Sequence, residues 1–104
     1  MSAAPQTKAT ATAGSLLAWY DEHLVDDVAL NDITRQAATL LSALLLRRKQ
    51  ACPPGPERER WAARRRLVKE QAEALDPADR AALAARQQEW ADEIRSLRGR
   101  PARP

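Results

Sequence analysis

One cysteine, Cys52, stands in 104 residues, and that scarcity excludes an internal disulfide and a cysteine-built metal cage while suiting a reducing cytoplasm. Phenylalanine is absent, tyrosine occurs once, and β-branched residues are few, so little favours strands. The three glycines lie in separate places, which leaves no glycine-rich loop to cradle a phosphate. The longest apolar stretch, Leu40 to Leu46, falls far short of the roughly 20 residues that span a bilayer, so a soluble, cytoplasmic protein with no membrane partner is expected. Residues 1–14 lack the apolar segment of a signal peptide and are expected to form a disordered tail.

What the chain has instead is Ala, Leu, Arg, Glu and Gln, residues of high helix propensity. The expected fold is all-α, a small bundle of about four helices forming a single domain over 15–104. The helices are read as about 15–29, 31–51, 57–75 and 77–98. Ser15 offers an N-cap to the first, with Leu16, Trp19, Tyr20, Leu24 and Val28 as its apolar stripe. Asn31 offers a cap to the second, in which Ile33, Ala37, Leu40, Leu41, Leu44 and Leu45 recur at helical spacing and Arg47, Arg48 and Lys49 suit a helix C-terminus. The segment 52–56, with three prolines and a glycine, is a linker that no helix can cross.

The last two helices are expected to fold back on each other as an antiparallel hairpin. Leu83, Gln87, Trp90, Ile94 and Leu97 line one face of the second arm, and Trp61, Arg65, Val68, Ala72 and Leu75 repeat the rhythm more weakly in the first. Asp76 is read as the cap of the fourth helix with Pro77 at its first position, while Gly99 and Pro101 end it. The three tryptophans, one in each of three helices, are expected core anchors. Gln87 interrupts the apolar face, either to fix register or because that face is partly wet.

If Leu75 pairs with Leu83, then Arg64, Arg65 and Lys69 approach Glu89, Asp92 and Glu93, and an ion-pair seam results. The same register gathers Arg58 and Arg60 with Arg98 and Arg100 at the open end of the hairpin, where Arg47, Arg48, Lys49 and Arg103 add to a basic pole. The overall balance argues for less: 17 basic residues face 14 acidic ones, and Arg outnumbers Lys 14 to 3 as a general coding bias would produce.

Catalysis has few parts to work with. His23 with Asp27 is a two-ligand pair on one surface helix, short of a metal site, and Cys52 has no base near it in sequence. No catalytic residue, metal or cofactor is expected, and the chain is not read as an enzyme. The expected function is that of a small accessory or regulatory protein that binds another protein, or itself, through apolar faces of its helices, with Trp19, Leu41, Leu45, Trp61, Val68, Leu83, Trp90 and Ile94 as either partner-binding or core residues. The alternative is a nucleic-acid-binding regulator that uses Arg47, Arg48, Lys49, Arg58, Arg60, Arg98 and Arg100.

Overall fold

The computed structural model describes residues 13–22 and 25–99. The fold is all-α, and the described residues form four helices: α1 (Ala13–Glu22), α2 (Asp27–Gln50), α3 (Pro56–Glu73) and α4 (Arg80–Gly99). The long helix α2 packs against both α3 and α4, and α1 lies on α4. Arg35 reaches Ala72 and Arg65 reaches Ser42, so α3 runs antiparallel to α2. Thr34 meets Leu83 and Arg48 meets Leu97, both 49 residues apart, so α4 runs parallel to α2 in constant register. The arms of the expected hairpin are therefore antiparallel, but each finds its main backbone neighbour in α2 rather than in the other arm.

The core follows from that arrangement. Leu41, Leu45 and Ala38 of α2 meet Val68 of α3 and Trp90 and Ile94 of α4, with Trp61, Ala72, Leu75 and Leu97 closing the margins. Trp90 is fully buried, as are Leu41, Leu45 and Val68. A second cluster joins Tyr20 of α1 to Leu30 of α2 and to Leu83 and Ala84 of α4. Among the described residues two buried polar atoms, Gln71 Oε1 and Trp90 Nε1, have no hydrogen-bond partner, each a cost of about 1–3 kcal/mol.

Several boundaries differ from the sequence reading, each for a local reason. The first helix stops at Glu22 instead of Ala29, because Asp26 takes an extended backbone (φ −79°, ψ 172°) and its Oδ1 accepts the Ala29 amide at 2.8 Å. Asp26, not Asn31, is thus the N-cap of α2, and Asn31 sits inside the helix bonded to Arg35. Val28 moves with it into the first turn of α2, where it is 71% exposed and belongs to no apolar stripe of α1. Ser15 lies within α1, which already begins at Ala13. His23 and Leu24 lie outside the described residues, as do 1–12 and Arg100 and Arg103.

The fourth helix begins at Arg80 rather than Pro77. Asp76 Oδ1 accepts from Ala78 in a tight turn, and Asp79 Oδ1 then accepts the Ala82 amide at 3.0 Å, so Asp79 is the cap that Asp76 was expected to be. At the other connector, Gly55 precedes Pro56 at the start of α3 with φ 152°, a conformation that L side chains rarely adopt, and its carbonyl accepts from Glu59.

The tryptophans divide. Trp90 is the buried anchor, Trp61 is half-buried, and Trp19 is 49% exposed with its ring set edge-on to Tyr20 at 5.5 Å. Tyr20, not Trp19, is what α1 inserts into the core, and its hydroxyl donates to Gln87 Oε1 at 2.8 Å. Gln87 interrupts the apolar face of α4 because α1 docks there. Arg65, expected to approach the carboxylates of the fourth helix, instead faces α2.

Burial holds the Tyr20 hydroxyl above the ordinary tyrosine pKa of 10.0. Because the neutral form is favoured in the fold, stability is intact below the unfolded pKa and declines as pH rises past it. Tyr20 is the only tyrosine, so absorbance of the tyrosinate should titrate above pH 10 in the folded protein and return to the ordinary value in denaturant. Replacing Tyr20 by Phe should cost about 0.5–1.5 kcal/mol through the lost hydrogen bond. Chemical denaturation should also separate two neighbouring leucines: Leu41→Ala, which opens a cavity against Trp90, should cost about 2–5 kcal/mol, and Leu40→Ala, at a 38% exposed site, less than about 1 kcal/mol.

Candidate binding surface

Helices α2, α3 and α4 run up, down and up, so the C-terminus of α2, the N-terminus of α3 and the C-terminus of α4 come together at one end. Arg48 ties them. Its Nη2 donates to the Leu97 carbonyl at 2.9 Å and its guanidinium lies 5.7 Å from the centre of the Trp61 ring. Around it stand Arg47, Arg60 and Arg98, exposed, and Lys49 and Arg58, half-buried. These are the described members of the expected basic pole.

A sorting of charge sets this end apart. Arg64, Arg66, Arg80, Arg86 and Arg95 each make an ion pair with a carboxylate. Among the described residues none of Arg47, Arg48, Lys49, Arg58, Arg60 and Arg98 does. Glu57 and Glu59 open α3 at the same end, but Glu59 is turned along its own helix to Arg66 at 3.0 Å. Six cations thus gather where one acidic residue, Glu57, has no ion pair.

Beside the cations lies apolar surface. On α2 the residues Ile33, Ala37, Leu40, Leu44, Arg47 and Ala51 recur at three- and four-residue spacing along one stripe. Ile33 packs under α1 with Leu30 and Tyr20. Among the described residues the stripe above α1 is uncovered: Leu40 and Leu44 line a groove with Leu97 of α4, and Arg47, Arg48 and Arg98 rim it. Leu41, Leu45, Val68, Leu83 and Ile94, read as either core or partner-binding residues, are all buried, whereas Leu40 is exposed and Leu44 is half-buried against the core.

Sequence reasoning missed three arginine contacts of one kind. Helix C-termini carry partial negative charge and unpaired carbonyls, and α3 has no basic residue in its last turn. Arg35 of α2 supplies one, donating to the Ala72 carbonyl at 3.0 Å. Arg48 does the same for α4 at Leu97, and Arg80 of α4 donates to the Val25 carbonyl at 2.8 Å just beyond α1. Arg80 also bridges Asp21 of α1 at 2.7 Å and Asp27 of α2 at 2.8 Å, and these bonds hold its pKa above the usual arginine value. The acidic block Asp21, Asp26, Asp27 was a visible signal for such a cation; which arginine answers it depends on tertiary packing.

The ion-pair seam between the arms is present at one position. Arg64 engages both carboxylate oxygens of Glu93, with Nε at 3.2 and 3.1 Å, and this contact raises the Arg64 pKa. Arg65 and Lys69 take no part in it, while Asp92 and Glu89 pair with Arg95 and Arg86 of their own helix. Among the described residues no cluster of His, Cys, Asp or Glu is placed to hold a metal, and no helix is long and apolar enough to cross a membrane. Cys52 sits half-buried in the connector, its amide donating to Lys49.

No protein-family model, curated protein or solved structure matches this chain. A double-mutant cycle on Arg64→Ala and Glu93→Ala should return a coupling of up to about 1 kcal/mol that shrinks with added salt, as expected for a partly exposed bidentate pair.

Proposed function

We propose that this chain is a non-catalytic helical accessory protein that binds another protein through the open stretch of the α2–α4 groove. The observation that carries the reading is the groove's composition: Leu40, 38% exposed, with Leu44 and Leu97 beneath a rim of Arg47, Arg48 and Arg98 that no described carboxylate pairs. Apolar floor and cationic rim together suit an amphipathic segment with acidic flanks, such as one helix laid in a groove. A symmetric pair of copies meeting on this surface would press like charges together across the axis, which disfavours self-association here.

Light scattering should show a monomer at micromolar concentration. Cross-linking in the host followed by mass spectrometry should recover a protein joined near Leu40, and Leu40→Glu should abolish that product. Leu67→Glu, which alters another exposed leucine on α3, should leave it intact. The same partner recovered from Leu40→Glu as from the unaltered chain would reject the groove.

The six unpaired cations support a second reading, a nucleic-acid-binding regulator docked on the basic pole. Its signature is anisotropy of labelled duplex DNA or single-stranded RNA that persists at physiological salt and is lost when Arg58, Arg60, Arg98 and Arg100 become Glu. The protein-binding reading expects only weak binding that vanishes as salt is raised.

A further inference from the structure

A second groove runs along the opposite side of α2, between it and α3, with a volume of about 560 Å³, within the range of small-molecule sites. Three cations line it: Arg35, Arg65 and Lys69. The antiparallel run of the two helices puts Arg35 beside Ala72 and Arg65 beside Ser42, so Lys69, one turn from Arg65, falls between them.

The two guanidinium groups are oriented but not neutralised. Arg35 donates to the Asn31 side chain and the Ala72 carbonyl, and Arg65 Nε donates to the Ser42 carbonyl at 3.2 Å. These acceptors are all uncharged, in contrast to the carboxylates that pair Arg64, Arg66, Arg80, Arg86 and Arg95. Glu73 also lines the groove, yet among the described residues no carboxylate forms an ion pair with any of the three cations. Fixed guanidinium groups with unspent donors are suited to bidentate capture of an oxyanion.

The rest of the lining is mostly small, Ala38, Ala43 and Ala72 with the hydroxyl residues Thr39 and Ser42, and Leu46 lies one turn beyond Ser42, away from Arg35. We infer that the α2–α3 groove binds a slender amphiphile, its carboxylate or phosphate head on Arg35, Lys69 and Arg65 and its aliphatic chain along Ala43 and Leu46. The site lies apart from the α2–α4 surface and stands whether or not that surface binds a protein.

The test titrates the full ¹⁵N-labelled chain with decanoate, decyl phosphate and decanol, each kept below its aggregation threshold, and follows the amide resonances. Saturable shifts at Ser42, Ala43, Leu46 and Lys69 are expected with at least one of the two anions, and the tighter anion identifies the head group. Decanol should bind about tenfold more weakly, and Lys69→Glu, at an exposed position, should weaken anion binding about tenfold, as loss of one charge-assisted contact does, with helicity unchanged. No saturable shift at millimolar anion, shifts centred on Leu40 and Leu97 instead, binding that starts only when the probe aggregates, or equal affinity in Lys69→Glu would each overturn the assignment.

Discussion

Helix α2 must bury one side against α3 and another against α4, and that double demand constrains every other element of the chain. Its inward residues Ala38, Leu41 and Leu45 meet both neighbours in one cluster around Trp90. With α2 occupying the seam, α3 and α4 need only one apolar face each. The parallel register of α2 and α4 then brings Leu83 level with Thr34, one turn above Leu30, and Tyr20 of α1 packs with both leucines at the lower end. Among the described residues, α1 closes the lower part of the α2–α4 groove and nothing covers the stripe above Ile33.

Charge is distributed by the same geometry. An up-down-up order places helix C-termini beside positions on α2 where arginines already stand, and Arg35 and Arg48 use them to cap α3 and α4 from outside. Arg80 donates to the Val25 carbonyl just before α2 while bridging Asp21 and Asp27. Arginines near acidic residues are thereby consumed in holding the fold. Arg47 and Arg98 make no ion pair among the described residues, and the partners of Arg35, Arg48 and Arg65 are uncharged, so the two grooves flanking α2 keep a surplus of positive charge.

The helical class and the Pro-rich break were legible because 3.6-residue spacing and proline chemistry are local. The antiparallel relation of the last two helices followed from a short turn, and Arg64 with Glu93 from their common register. What escaped the sequence was choice among equivalents. Asp26 and Asn31 both suit an N-cap, as do Asp76 and Asp79, and the decision lay in how far each connector had to stretch before packing resumed. Trp19 and Tyr20 are adjacent, so which aromatic faces inward depends on the rotation of α1, and that is set by Gln87 and Leu83 across 60 residues and more of chain. The apolar spacing of α4 gave its buried face but not the identity of the helix that covers it.

Pairing of α2 with α4 is the claim on which the α2–α4 groove and the docking of α1 rest, and nuclear Overhauser contacts in the isotope-labelled protein test it most directly. Cross-peaks between Thr34 and Leu83 and between Arg48 and Leu97, seen together, are what a parallel register with α2 at the centre requires. Their absence, with α3 and α4 instead in continuous mutual contact along their apolar faces, would contradict it and remove the α2–α4 groove derived from it.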